Sequence, residues 1–526
     1  MTWLNNIFYK VIDGVKVNVG NDRENFVNSA ICEFENSPKR LFMDVAQEYY
    51  DNRPDQLQEK RMVIGRDSEN NAVLQESRTL TNTKLTFNFM RKFVTQKISY
   101  QLSLPFSVEA SREKTKEKAD DFIEQLYPYL NDDFYRKIKK VSVDSIVKGI
   151  GWLYVYYDEQ GEMCVRRLPP EEVIPFWADV DHTELEAVVR YYWVREYKPS
   201  AVAGLAYDEV KHIEYYGKDG IEYFIYNDSG KVVRDPNKPV KAPYIRLIDK
   251  EGKELGYNWN KLPFIPFKYN DDEHSLLLEI KPLVDNYNKI MSDISNDIID
   301  MPNSVTVIKN YDGASKEEFI ANKNQYRTIF VQGDGDASKI DTNLNIEDID
   351  IYLKRLRADM YEHACCVDAT NKDIRDTSGV ALRFIFADLD MDCKTWGSEL
   401  QWALKRLFWF FQQDMIAKGK GDYADAEYHI IFNNDMIINE TEAITNCFTS
   451  KGVISDETIA ANHPWTIDAK KEVEAMLDDE EEELSLNAEY AKKADVSGNQ
   501  TSARRSDGTS ATSKQTHHSN GQNQNK

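Results

Sequence analysis

The spacing of apolar residues changes along the chain, and each change predicts a different kind of secondary structure. Between Leu41 and Tyr49, apolar side chains recur every three to four residues, which predicts a helix over 40–50. The same spacing predicts helices over 85–105 and through most of 112–150. The N-terminal part of the chain is therefore expected to be mainly helical.

From Gly151 onward, apolar and aromatic residues come in short runs separated by turn signals. The segment 152–168, WLYVYYDEQGEMCVRRL, contains two such runs on either side of a polar turn and predicts a hairpin. Similar runs continue to residue 270, with turn signals at 218–220 and 228–230. We expect a mostly antiparallel β region whose strands follow one another as a meander. Its many Tyr and Trp residues are interpreted as core and cross-strand packing.

Helical spacing returns over 282–300 and predicts a helix with an apolar stripe on one side and polar residues on the opposite side. The stripe consists of Leu283, Tyr287, Ile290, Met291, Ile294 and Ile298. The polar side includes Asp285, Asn288, Lys289 and Asn296. Strands are predicted at 304–308 and 328–332, and a second helix over 347–365.

A polar linker at 368–378 leads into a long predicted helix, 379–418, that ends before glycines. Its second half is apolar on nearly all sides and should be buried on more than one of them. A strand is predicted at 428–432, and short helices within 439–477. The last residues, which follow an acidic run, are nearly free of aliphatic side chains and are predicted to be disordered.

The charge of the chain limits the classes of function. It has 526 residues with a formal net charge of −23. A protein that coats nucleic acid or binds an anionic membrane relies on Lys and Arg, so both classes are disfavoured. Six scattered cysteines without a C-x-x-C pair, no signal peptide and no apolar run of membrane-spanning length favour a soluble protein made in a reducing compartment.

Motifs for catalysis are absent from the sequence. There is no Walker A loop, no H-E-x-x-H and no G-x-S-x-G, and the 8 histidines form no recognisable pair. Asp285, Asp293 and Asp297 raise the alternative of a Mg²⁺-dependent nuclease, although a solvated acidic helix face is the favoured interpretation. A further alternative is an acidic scaffold or head-assembly adaptor. No cofactor and no metal are expected.

Four segments together resemble a known family. They are 85–109, 149–177 with its Gly-strand-hairpin and Pro-Glu, 262–300 with Leu-Val-Asp-x-Tyr-Asn and Ser-Asp-x-x-Asn-Asp, and 376–384 with DTSGVALRF. In this order and spacing they resemble the portal proteins of long-tailed bacteriophages of Gram-positive hosts. The resemblance covers about 40–475.

The resemblance implies an α+β portal fold in a ring, typically of twelve subunits. The regions implied are a wing (1–275, with 379–435), stem helices (276–300 and 347–367), a mixed α/β clip (301–346), a tunnel loop (368–378) and a helical crown (436–484). The disordered tail (485–526) is predicted from its composition alone. In such a ring, a neighbouring subunit could cover the second apolar side of 402–415; burial within the subunit is the equal alternative.

The implied function is a channel for double-stranded DNA at the unique capsid vertex, used in packaging and ejection, without enzymatic activity. The implied partners are other copies of the chain, double-stranded DNA, the terminase large subunit, the major capsid and scaffolding proteins, and a head-completion connector. The chain would be found in the virion, and in the host cytoplasm during assembly. The residues expected to line the DNA channel are Asn371, Lys372, Asp373, Arg375, Thr377 and Ser378 in the tunnel loop. The other candidate site residues are Asp285, Asn288, Lys289 and Asn296 on the polar face of the stem, and Lys309, Lys323 and Arg327 in the clip. Because an acidic channel repels phosphate, DNA contact is expected only at a few basic residues.

Overall fold

The structure is a computed structural model of the chain and describes residues 23–66, 68–69, 71–77, 80–111, 116–197, 207–227, 230–248, 254–300, 305–309, 336–340, 346–370, 379–432, 440–466, 469 and 471–479. The helices are α1 (Arg23–Glu35), α2 (Pro38–Tyr50), α3 (Phe89–Leu102), α4 (Lys116–Leu126), α5 (Asp132–Lys148), α6 (Leu277–Asp300), α7 (Ile346–His363), α8 (Gly379–Ile385), α9 (Ala387–Ala417), α10 (Glu440–Ser450) and α11 (Asp456–Ala461). The strands are β1 (Met62–Arg66), β2 (Ala72–Glu76), β3 (Ser107–Ala110), β4 (Ile150–Tyr157), β5 (Met163–Leu168), β6 (Val173–Trp177), β7 (Leu185–Tyr197), β8 (Tyr207–Gly217), β9 (Gly220–Tyr226), β10 (Val232–Arg234), β11 (Ile245–Ile248), β12 (Glu254–Tyr257), β13 (Phe264–Lys268), β14 (Val305–Lys309), β15 (Asp336–Ile340) and β16 (Tyr428–Ile431). This mixture of helices and strands confirms the α+β class.

Capping side chains decide where several helices begin. Ser37 accepts a hydrogen bond from the backbone N of Arg40 at 3.2 Å, with Pro38 as the first residue of α2. Asn88 caps α3 in the same way, accepting from the N of Arg91 at 2.9 Å. The helix predicted over 85–105 therefore begins later than expected, because residues 81–87 lie outside any helix or strand and α3 starts only after its cap.

The β region between 150 and 268 is antiparallel, as predicted. Strands β4 and β5 form the expected hairpin, and β6 to β10 follow one another as a five-stranded meander. The meander does not include every strand, because β13 pairs with the other side of β4. One hairpin was not predicted: β1 and β2 pair in a region expected to be helical.

The main core is built around α9. Leu404, Phe408 and Phe411 are almost fully buried and pack with aromatic side chains from α5 and from the segment before β3. Burial within the subunit therefore accounts for most of the apolar surface between 402 and 415. The long predicted helix is interrupted at Phe386, which separates α8 from α9.

The junction between α5 and β4 requires a glycine. Gly149 has a φ of 87°, and a Cβ at this position would lie 1.9 Å from the carbonyl oxygen of Glu273.

The Glu273 carboxylate is buried among three basic groups: it pairs with Lys39, contacts the Nδ1 of His182 at 2.7 Å, and lies 3.5 Å from the Nζ of Lys268. Burial disfavours its charge, yet these partners hold the pKa of Glu273 well below its ordinary value. The cluster ties α2 to the end of β13.

Between α6 and α7 the structure describes two short paired strands. Strand β14 confirms the prediction at 304–308 and pairs with β15, with Lys309 opposite Asp336. The strand predicted at 328–332 lies outside the described residues, as does the tail predicted at 485–526.

The chain divides into two compact units, 1–436 and 437–526. In the first, β16 confirms the strand predicted at 428–432 and pairs with β3. In the second, α10, α11 and a helical segment at 471–479 confirm the predicted short helices.

Candidate nucleic-acid interface

The structure describes only part of the predicted interface. The tunnel-loop residues Asn371, Lys372, Asp373, Arg375, Thr377 and Ser378 lie outside the described residues, and so do the clip residues Lys323 and Arg327. Lys309 is the last residue of β14. The roles of all these residues stay predictions, but the segments on either side of the tunnel loop are described.

The end that enters the loop is fixed by Gln96 of α3. Its side-chain amide donates to the carbonyl oxygen of Val367 at 3.1 Å and accepts from the backbone N of Val367 at 3.1 Å. This pair of hydrogen bonds satisfies both backbone groups of one residue. The chain after α7 therefore leaves from a defined point on α3.

A second contact secures the same end. The guanidinium of Arg357 forms a fork with the carboxylate of Asp368, with Nε to Oδ2 at 2.6 Å and a terminal N to Oδ1 at 3.0 Å. Partial burial disfavours the charge of Asp368, but hydrogen bonds from Arg357 and Thr370 hold its pKa well below the ordinary value. Asp368 is thus charged, and fixed to α7, at any physiological pH.

The next residue of α3 contacts α9, which follows the loop and α8. Lys97 has no exposed side-chain surface, and its Nζ lies 2.5 Å from Oδ2 of Asp392 in α9. Tyr269 directs its hydroxyl to the same carboxylate at 3.2 Å, and Tyr100 donates to Asp390 at 2.9 Å. Burial alone would lower the pKa of Lys97, but its electrostatic partners, Asp392 among them, raise it above the ordinary value.

Adjacent residues of α3 thus contact the chain on both sides of the predicted tunnel loop, at Val367 just before it and at Asp392 in α9 beyond α8. Gln96 binds the chain before the loop and Lys97 binds the helix after it. Sequence reasoning missed both roles. A signal existed for Lys97, because it occupies the next helical position after the buried Phe89 and Phe93, where a charge is buried only with a partner.

A contact that the sequence did not predict covers part of the polar side of α6. Four residues of α6 spaced by four accept hydrogen bonds from alternate backbone N–H groups of 81–87. Asn288 accepts from Phe87 at 3.0 Å, Ser292 from Leu85 at 2.9 Å, Asn296 from Thr83 at 2.7 Å and Asp300 from Thr81 at 3.0 Å. We call this set the stem ladder.

Geometry explains the repeat of the stem ladder. Four residues of an α-helix advance about 6.0 Å, and two residues of an extended chain advance about 6.6 Å. Alternate N–H groups of the extended segment therefore meet successive turns of the helix. The sequence carried a signal for this contact: small polar residues at a strict spacing of four, Asn-x₃-Ser-x₃-Asn-x₃-Asp.

The ladder changes the interpretation of the predicted stem residues. Asn288 and Asn296 are 1% and 4% exposed, so the chain itself covers them. Asp285 is bonded to the hydroxyl of Tyr49 and lies 2.9 Å from the Nζ of Lys281. Of the four, Lys289 is the exposed one. Asn288 and Asn296, predicted on the polar side of this helix, therefore face 81–87 of their own chain, and the role of the stem residues stays a prediction.

The three carboxylates of the nuclease alternative do not converge in the structure. Asp285 and Asp293 are eight residues apart, which is about 12 Å along the helix axis. Asp297 lies 3.8 Å from a terminal nitrogen of Arg61. Among the described residues, no group of His, Cys, Asp and Glu side chains could hold a metal ion.

Two further features concern the cysteines and membranes. The six cysteines are all free thiols. Burial raises the pKa of the Cys366 thiol to about 12. In the part of the chain that the structure describes, no helix is long and apolar enough to cross a bilayer.

Comparison with known proteins identifies the family. Residues 39–485 match the family described as phage portal protein, SPP1 Gp6-like. The portal protein of Bacillus phage SPP1 is 29% identical over 415 residues, which is 78% of each chain. The portal protein of Clostridium phage phiCD119 is 24% identical over 455 residues, covering 84% of this chain and 93% of that protein. The family match spans most of the sequence, and the chain therefore belongs to the SPP1 Gp6-like family of phage portal proteins.

Proposed function

We propose that copies of this chain, typically twelve, form a ring at the unique vertex of a phage head, through which double-stranded DNA enters during packaging and leaves during ejection. Portal proteins of this family are structural components of the phage head and not enzymes. The proposed partners are the terminase large subunit, the major capsid and scaffolding proteins, and a head-completion connector. The ring would assemble in the host cytoplasm and remain in the virion.

The observation that carries the DNA-contact part of the proposal is that adjacent residues of α3 bind Val367, just before the tunnel loop, and Asp392 in α9, beyond it. Gln96 and Lys97 are part of a helix whose neighbours Phe93 and Val94 are fully buried in the core. A loop held at both ends by a rigid element can touch a passing duplex without moving the rest of the subunit. This supports the assignment of Lys372 and Arg375 to DNA contact.

The charge of the chain supports a conduit more than a clamp. Each Lys or Arg that neutralises a phosphate adds to affinity, so a channel rich in such contacts would retain DNA instead of passing it. With a net charge of −23 per chain, a ring repels phosphate over most of its surface. Contact would then be limited to a few basic side chains, with Lys372, Arg375 and the exposed Lys289 as candidates.

The loop assignment is tested by reversing its charge. The variant K372E/R375E should assemble into rings in negative-stain images, while packaged DNA per head falls roughly tenfold because the loop no longer attracts phosphate. The matched control K139E/K140E makes the same change in charge on the exposed side of α5 and should package normally. Loss of the ring in K372E/R375E, or equal packaging by both variants, would contradict the loop assignment.

The ring itself has a separate test. Negative-stain images of the purified chain should show rings with a central hole of about the width of a duplex. Plasmid incubated with the protein and Mg²⁺ should remain intact. Uniform monomers at high concentration in several buffers would reject the ring and favour the adaptor alternative.

A further inference from the structure

A cavity of about 300 Å³ opens between the start of α5, the start of β5 and the end of α9. We call it the α5 pocket. Its apolar wall consists of Phe134, Met163, Val165 and Phe411, whose exposed fractions lie between 2% and 9%. The ring of Tyr129 stacks on that of Phe411, with 4.7 Å between the centroids. This volume is at the lower end of the range for small-ligand pockets, which is roughly 300–1,000 Å³.

Both carboxylates that line the α5 pocket are already paired with cations. Asp133 has a nitrogen of Arg136 and the Nζ of Lys137 at 2.5 Å each. Hydrogen bonds from Lys137 and Arg136 lower the pKa of Asp133 to about 2. Glu162 lies 2.8 Å from the Nζ of Lys418. The acceptor groups at the rim are therefore in use.

The buried carboxylate of Asp414 holds Lys418 in place beside the pocket. It accepts from the hydroxyl of Tyr129 at 2.6 Å and from that of Tyr157 at 3.0 Å. The Nζ of Lys418 lies 3.0 Å from the same carboxylate. Lys418 is thus fixed between Asp414 and Glu162, and its position at the rim is defined.

The unused hydrogen-bonding capacity of the α5 pocket belongs to donors. Among the described residues, neither the Nζ of Lys420 nor the side-chain amide nitrogen of Asn131 has a partner. The lining residues and their partners include four cations, Arg136, Lys137, Lys418 and Lys420, against three carboxylates, in a chain with a net charge of −23. Open donors beside an apolar wall suit a ligand that joins an apolar body to an anionic oxygen.

We propose that the α5 pocket binds a carboxylate carried on an aromatic group, with the aromatic group against Phe134 and Phe411 and the carboxylate at Lys420 and Asn131. Two sources share this chemistry: a free aromatic acid, and an acidic residue next to an aromatic residue in a partner protein. The inference goes beyond the proposed function and does not depend on the ring.

Two matched probes test the chemistry of the pocket. N-acetyl-phenylalanine carries a carboxylate, and N-acetyl-phenylalanine amide is the same molecule without the charge. Ligand-observed NMR titrations of the full chain should show that the acid binds about tenfold more tightly, because the amide cannot accept charge-assisted hydrogen bonds as an anion. Equal affinities for acid and amide, or no binding of either, would reject the proposal.

A third probe separates the two sources. A short peptide with Phe next to Asp and both ends blocked carries its carboxylate on a side chain. Tighter binding of this peptide than of N-acetyl-phenylalanine would assign the pocket to a segment of a partner protein. Tighter binding of N-acetyl-phenylalanine would assign it to a free acid.

Matched variants locate the charge that recognises the acid. K420Q removes an ammonium group at the pocket and should reduce the preference for the acid by about fivefold. K405Q makes the same change at an exposed lysine of α9 that does not line the pocket, and should leave the preference unchanged. Equal effects of the two substitutions would reject the assignment of Lys420.

Alkylation of the native thiols locates the bound probe without any substitution. Cys164 lines the α5 pocket, whereas Cys32 is exposed on α1. Saturating N-acetyl-phenylalanine should slow the reaction of Cys164 with N-ethylmaleimide and leave that of Cys32 unchanged, as measured by peptide mass spectrometry. Equal rates at Cys164 with and without the bound probe would place the probe elsewhere and reject the site.

Discussion

Two regions of the molecule are fastened in different ways. In α6, Asn288, Ser292 and Asn296 bury neutral side chains against the backbone of 83–87. Near the start of α9, Asp392 instead pairs with the buried charge of Lys97. Both regions fasten the N-terminal part of the chain to helices from much later in the sequence, α6 and α9. The stem ladder distributes its hydrogen bonds over several helical turns, so the loss of one bond leaves the others in place. The ion pair concentrates the attachment at one point, where removal of one partner leaves a buried charge.

The largest effect is expected at the ion pair, and it should be asymmetric. D392N leaves the fully buried ammonium of Lys97 without its carboxylate, which should lower the free energy of unfolding by about 3–5 kcal/mol. K97M leaves Asp392, whose side chain is 25% exposed and can be hydrated, so it should cost less. Urea unfolding of both variants measures the difference. Equal losses would show that burial does not distinguish the two partners.

The Glu273 cluster extends the comparison to pH. The pKa of Glu273 is lowered in the folded state. The contribution of its carboxylate to stability is therefore complete above about pH 4.5 and is lost as the pH falls toward the folded pKa. E273Q lacks this titration and should show a shallower loss of stability between about pH 5 and pH 2 than the parent. Thermal melting across that range measures the slope. Parallel curves would mean that other carboxylates dominate the acid response.

The smallest effects are expected at the ladder. N296A leaves the buried N–H of Thr83 without an acceptor and should cost about 1–3 kcal/mol, without a change in pH dependence because both groups are neutral. The control K289A removes a lysine on the exposed side of the same helix and should change stability by less than about 0.5 kcal/mol. Urea titration of the two variants compares them directly. A similar loss in K289A would place its side chain in a contact that the ladder does not explain.

Periodicity predicted the elements whose stabilising contacts are local. Helix α2 follows from its apolar spacing and from Ser37 and Pro38, and the β4–β5 hairpin follows from alternation on either side of one turn. The β1–β2 hairpin was missed although a polar turn separates its two strands, because helical spacing on both sides dominated the interpretation of that region.

Contacts between distant segments could not be predicted in this way. Strand β16 pairs with β3 across more than 300 residues of sequence, and no local pattern specifies that partner. The fork between Arg357 and Asp368 and the contacts of Gln96 and Lys97 are of the same kind. For the site, the sequence provided the loop and its basic residues through family resemblance, while the anchors became visible only in the fold.

The described residues on either side of the predicted tunnel loop limit how far that loop can extend. Between Thr370 and Gly379 the chain has nine residue steps, and an extended chain spans at most about 3.3–3.6 Å per residue. A segment that must go out and return can therefore reach only about 15 Å from the line between Thr370 and Gly379. In the ring proposed above, Lys372 and Arg375 would therefore meet DNA only if the ends of α7 and α8 lie within that distance of the duplex.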